Sequence, residues 1–121
     1  MNIEEYRTYC LSKKGVTESL PFPKLQNVLV FKVAGKMFTA THINTFSSFS
    51  IKCEPETIEE LRAEYPAMLE PSYFSKKHWS SVTMDRTVSD RLLYEWLDIS
   101  YNLVVAKLSK KEKLNIILAL R

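Results

Sequence analysis

Between Val28 and Cys53 a continuous apolar run, Val28 to Phe31, gives way to apolar–polar alternation over Phe38 to Thr41 and Ser48 to Cys53, with breaks at Ala34-Gly35 and Asn44-Thr45. Runs rich in β-branched and aromatic residues with that spacing predict strands over residues 28 to 33, 36 to 43 and 47 to 53, joined as an antiparallel meander. With two-residue turns at both breaks, Phe31 faces Phe38 and Ala40 faces Phe49. Side chains alternate along each strand, so the two turns agree on one apolar face: Leu29, Phe31, Val33, Phe38, Ala40, Phe49, Ile51 and Cys53. Val28, Val30, Lys32, Met37, Thr39, Thr41, Ser48, Ser50 and Lys52 take the other face. The first face needs helices over it, and the second is left for water or a ligand.

Helical spacing flanks this meander. Asn2 followed by Glu5 forms a capping-box pattern, and Ile3, Tyr6, Cys10 and Leu11 make one apolar stripe, predicting a helix over residues 3 to 14. Pro21-Phe22-Pro23 then forbids regular structure, because each proline lacks a donor and restrains the residue before it. Pro55 opens a second helix over 55 to 65, with Ile58, Leu61 and Tyr65 inward and a glutamate-rich outer face, halted by Pro66. Residues 78 to 84 read as a fourth strand, Val82 and Met84 opposed to Trp79, Ser81 and Thr83. Ser89 caps a helix over 89 to 107 with Leu92, Leu93, Trp96, Leu97, Ser100, Leu103 and Val104 inward, and Ser109 with Glu112 caps a basic helix from Lys110 to Leu120. This order predicts an α+β fold, an antiparallel sheet covered on one face by helices. Residues 1–121 form one domain, with 109–121 a short basic C-terminal helical extension.

The 121-residue length suits one core, and 45 % hydrophobic residues with two glycines and five prolines exclude a low-complexity chain. A net charge of +3 falls far short of a basic nucleic-acid arm, so any electrostatic function rests on where the charges sit. They are uneven. No Asp or Glu occurs between Ser19 and Cys53 or between Pro71 and Met84, and those stretches carry Lys24, Lys32, Lys36, Lys52, Lys76 and Lys77. Lys76-Lys77-His78-Trp79 places two cations, an imidazole and an indole beside the fourth strand. This favours an anion-binding surface over a catalytic one.

Other chemistries find little support. His42, His78, Cys10 and Cys53 lack metal-ligand spacing, and neither a Gly-rich phosphate loop nor a nucleophile motif is present, so no metal, cofactor or catalytic residue is expected and the chain reads as a non-enzyme. Cys10 and Cys53 read as buried reduced thiols. The N-terminus has no cationic segment before an apolar stretch, and no window approaches about 18 apolar residues, which predicts a cytoplasmic protein without a membrane span.

The run Leu29-Val30-Phe31-Lys32-Val33 with Gly35-Lys36-Met37-Phe38, the segment Ile51-Lys52-Cys53-Glu54-Pro55-Glu56, and Leu61-Arg62 ahead of Tyr65-Pro66 resemble the MmcQ/YjbR-like family. Lys76-Lys77-His78-Trp79 with its strand, then Leu92-Leu93 and Ser100-Tyr101, extend the resemblance over about residues 3 to 105. It implies a frataxin-like (CyaY-like) two-layer sandwich in a small bacterial protein that binds DNA through a double-wing arrangement of strands and loops. The last helix departs from the usual family end.

Two functions follow. In the leading one Lys32, Lys36, Lys52, Lys76, Lys77, His78 and Trp79 hold the phosphates of double-stranded DNA, with little base readout. The alternative is a protein-interaction or homodimerising domain that uses Val28, Val30, Met37 and Trp79 on the same sheet face.

Overall fold

Six strands, Val16–Ser19 (β1), Val28–Val33 (β2), Lys36–His42 (β3), Ser48–Lys52 (β4), Met68–Leu69 (β5) and Trp79–Thr83 (β6), form one antiparallel sheet in the order β1-β2-β3-β4-β6-β5. The computed structural model describes residues 1–72 and 74–118. Helices α1 (Ile3–Ser12), α2 (Ile58–Glu64, entered through a 3-10 turn at Pro55–Thr57) and α3 (Asp90–Ala106) cover one face, and α4 (Lys110–Leu118) follows. This is the expected α+β class. The expected end of the last helix, residues 119 and 120, lies outside the described residues.

Local chemistry sets the helix starts as the spacing predicts. The Asn2 side chain accepts from the Glu5 N–H at 2.8 Å while Glu5 accepts from the Asn2 N–H at 2.9 Å. Ser89 caps α3 through the Leu92 N–H. Tyr6, Phe31, Phe38, Phe49, Ile51 and Leu97 are buried between sheet and helices, and Trp96 meets Tyr65 edge-on with ring centroids 5.0 Å apart. Cys10 and Cys53 are buried, unpaired thiols.

Two strands escape the periodicity. β1 and β5 have four and two residues, too short to show alternation, and they flank the predicted strands at the two edges. β1 brings Glu18 into the sheet, but this carboxylate turns to the helix side, where Arg7 of α1 donates to it from Nε at 2.7 Å.

The register corrects the predicted faces at one place. Lys32 pairs with Met37, whereas Phe31 pairs with Thr39, so Phe38 is an extra residue in β3. Ala34 and Gly35 both have positive φ, as a two-residue primed turn requires, and the slip therefore arises within the strand. Beyond the bulge the faces exchange: Thr39 and Thr41 point into the helix-covered core and Ala40 joins Val28 and Val30 on the other side. The connection to β4 is residues 43–47, not a two-residue turn, because Phe46 inserts toward Tyr6 at 5.1 Å between centroids. This second slip offsets the first, so Phe49 and Ile51 face the core as expected.

Buried threonines are tolerable only if their hydroxyls are bonded. Thr39 donates to the Ser50 carbonyl and Thr41 to the Ser48 carbonyl, each at 2.7 Å, and Tyr6 bonds Thr39 at 2.9 Å. The bulge itself is closed from α3. The β3–β4 ladder ends where Thr39 faces Ile51, one residue short of Phe38 and Lys52. There the Ser100 hydroxyl stands between the strands, accepting from the Lys52 N–H at 2.8 Å and donating to the Phe38 carbonyl. Ser100 is fully buried. Ser100→Ala leaves two interior backbone groups without a partner and is expected to lower stability by about 1–3 kcal/mol in urea unfolding. An unchanged midpoint and slope would show that the hydroxyl is not what closes the bulge.

Candidate nucleic-acid interface

The open face of the sheet has no carboxylate: Thr17, Ser19, Val28, Val30, Lys32, Met37, Ala40, His42, Ser48, Ser50, Lys52, Leu69, Trp79, Ser81 and Thr83 line it by register. The cations gather at one end of it. Lys52, the last residue of β4, pairs with Trp79, the first of β6, and Lys32 pairs with Met37 one strand beyond. Lys36 begins β3 opposite Val33, a core residue, so it points toward the helix side of the same end. Lys76 and Lys77 occupy the turn leading into β6, both exposed. The seven expected residues thus share an end of the sheet but not a single face.

That turn is built rather than loose. The N–H groups of His78 and Trp79 both bond the Ser75 carbonyl, at 3.2 and 2.9 Å, and the His78 carbonyl accepts from Cys53, continuing the β4–β6 ladder. Arg62 of α2 pins it from beneath: Nη2 donates to the Lys76 carbonyl at 3.0 Å, the Trp79 carbonyl at 2.7 Å and the Ser80 hydroxyl at 3.1 Å. In the sequence Arg62 stands only within the Leu61-Arg62 motif of the family resemblance, with no role assigned to it. Its role is visible only once α2 and β6 are brought together. Burial raises the Cys53 thiol, with Ser80 and Arg62 pulling it partly back, so this cysteine stays protonated inside the core.

A further cation joins from the far end of α3. Lys107 follows Ala106 and acts on Lys52: burial first, then the Lys107 and Lys36 ammoniums, hold the Lys52 ammonium below the usual lysine range. Lys36 also acts on Glu112 of α4, whose carboxyl lies below the usual carboxylate range chiefly through the backbone N–H and hydroxyl of Ser109. Among the described residues the ion pairs are Met1–Asp90, Arg7–Glu18, Lys13–Asp98 and Arg91–Glu95. None involves Lys32, Lys36, Lys52, Lys76, Lys77 or Lys107, so the cluster holds like charges together without a close ion pair, with Glu112 within electrostatic reach of Lys36.

Trp79 is half-buried, its ring 5.0 Å from that of Phe74 at 35°. Phe74, from the loop before the turn, packs with Met37 over Val28, Val30 and Ala40 as a second small core on the open face. Val28 and Val30 are therefore covered from within the chain. No three His, Cys, Asp or Glu side chains converge among the described residues as a metal site requires, and no described helix is long and apolar enough to cross a membrane.

Replacing Arg62 by Leu removes three bonds that fix the Lys76–Trp79 turn. Native-state hydrogen exchange at Cys53 and Trp79 is expected to quicken, with exchange at Ala40 unaltered. Equal protection in parent and variant would mean that the strand ladder alone fixes the turn.

The YjbR family model matches residues 11–103. The chain is 28 % identical over 114 residues to Uncharacterized protein YjbR of Escherichia coli strain K12, covering 93 % of this chain and 95 % of that protein. It is 31 % identical over 85 residues to Uncharacterized protein YbdF of Escherichia coli O157:H7, covering 69 % and 70 % of the two chains. Among solved structures, a Deinococcus radiodurans protein with domain DUF419 aligns at a TM-score of 0.87 and 35 % identity, over 99 % of this chain and 92 % of that one. A Pseudomonas syringae protein aligns at 0.74 and 19 % identity, over 85 % and 98 %, a likeness of fold alone. With the family model spanning residues 11–103, from the end of α1 into α3, the chain belongs to the YjbR family.

Proposed function

We propose that the chain binds the phosphate backbone of double-stranded DNA through the basic end of its sheet, as a binding module rather than an enzyme. The observation that carries this reading is the convergence of Lys32, Lys36, Lys52, Lys76, Lys77 and Lys107 at one end, with no ion-paired acid among the described residues. Like charges held together repel, and the cost is recovered when an anion binds and counterions leave. Phosphates suit such a surface because lysine acts as a point charge and needs no fixed geometry. His78 and Trp79 sit in the same turn and supply a ring edge and an N–H beside the backbone. The protein-interaction reading has less support, since Phe74 and Met37 cover Val28 and Val30.

In this reading the affinity depends on charge and very little on base sequence. Duplex binding is expected to fall with salt at a log–log slope of about −0.9 per phosphate neutralised. Lys77→Glu is expected to reduce that slope by about one or more and to weaken every duplex alike, leaving stability unchanged because Lys77 is exposed. Lys107→Glu is expected to act in the same direction, whereas Arg91→Glu, at the N-terminal end of α3, is expected to have a smaller effect. Equal loss in all three variants would mean diffuse attraction without a site. No duplex binding at low salt would overturn the reading.

A further inference from the structure

On the open face, beside the basic end, lies a cavity of about 220 Å³. Its floor is one cross-strand row: Ala40 of β3 pairs with Ser50 of β4, which pairs with Ser81 of β6. Three small side chains abreast leave a depression where the neighbouring rows carry Met37, Lys52 and Trp79, or His42, Ser48 and Thr83. The walls are aromatic. Phe74 lines it together with Phe22 and Leu25 from the loop joining β1 to β2. Phe22 and Leu25 remain more than a third exposed, at 37 % and 38 %, although they line a concave site.

The depression is a product of the bulge at Phe38. An unbroken β3 would turn Thr39 and Thr41 to this face and Ala40 to the core, and the gap would close. The floor is also polar in a way a packed surface would not leave. The Ser50 and Ser81 hydroxyls have no protein hydrogen-bond partner among the described residues, while Thr39 and Thr41 on the opposite face both do. An apolar occupant would strand those hydroxyls.

We infer that this cavity is a binding site for one planar heteroaromatic ring, of nucleobase size, packed against Phe22 and Phe74 with its hydrogen-bonding edge on Ser50 and Ser81. Size supports this: a dry cavity of about 150 Å³ takes benzene, and the larger space here admits a ring bearing polar substituents. Aromatic side chains pack on such a ring irrespective of its identity, and hydroxyls, which both donate and accept, can meet different edges. The same ring chemistry has two sources, a free base or nucleoside and an unstacked base on a strand. The basic row lies along the same strands, with Lys52 and Trp79 each two residues from Ser50 and Ser81, close enough to hold a strand's phosphate. The inference stands on the cavity and is independent of duplex binding.

The test is an amide-resolved NMR titration of the full chain with adenosine, guanosine, cytidine and thymidine, and separately with a single strand of about eight nucleotides. Shifts at Ala40, Ser50, Ser81 and Phe74 are expected. Ala40→Leu fills the depression and is expected to weaken binding about tenfold or more, the scale of losing one base-stacking contact. Ser50→Ala with Ser81→Ala, which carries little risk to folding, is expected to weaken it in the same direction. Shifts with free nucleosides identify a small-molecule ligand, and shifts with the strand alone identify a base on a chain; both support the site. No shift at these residues with any probe, or undiminished binding by both variants, overturns it. Duplex-induced shifts confined to Lys52, Lys77 and His78 bear on the phosphate reading only.

Discussion

The Ser100 hydroxyl, held between the Lys52 N–H and the Phe38 carbonyl, is the contact on which the arrangement of the sheet depends. A bulge leaves backbone groups unpaired, and inside a core each such group costs stability comparable to a lost hydrogen bond. One buried serine from α3 satisfies both and joins three elements that are distant in the chain. With Phe38 absorbed as an extra residue, its ring turns to the helix side and meets Tyr101 edge-on, at 5.4 Å between centroids. Every residue of β3 after it then changes face. Two threonines enter the core, where their hydroxyls bond the β4 backbone, and an alanine is left on the open side.

The two faces of the sheet are thereby given different tasks. The helix side is closed by aromatic packing around Tyr6, Phe31, Phe38 and Phe49. The open side keeps lysines at one end and a hollow beside them, separated by Met37, Phe74 and Trp79. Both features lie on the same strands, so the geometry that fixes Lys52 at the end of β4 also fixes Ser50 in the hollow.

Much of this is legible in the residues. The capping box at Asn2, the N-cap at Ser89, the turn that sets the register of β2 and the alternation in β4 and β6 place the helices and three strands with their correct faces. The alternation misleads in β3 because a single bulged residue inverts parity and leaves no mark in composition: Phe38-Thr39-Ala40 reads equally well either way. A compensating slip in the 43–47 connection, where Phe46 is drawn into the core at positive φ, restores β4. β1 and β5 are too short to carry a period. At the candidate site, Lys32, Lys36, Lys52, Lys76 and Lys77 are recognisable from acid-free stretches, because a missing counter-charge is a property of sequence. Lys107, Arg62 and Phe74 are not, since each reaches the site only by tertiary approach.

Nuclear Overhauser contacts of the Ala40 methyl group report whether the bulge at Phe38 puts Ala40 on the open face. Contacts to Val30 and to the cluster shared with Phe74 are expected, and none to Tyr6. Contacts from that methyl to the Tyr6 and Phe31 rings would place Ala40 in the core and mean an unbroken β3 with no bulge at Phe38.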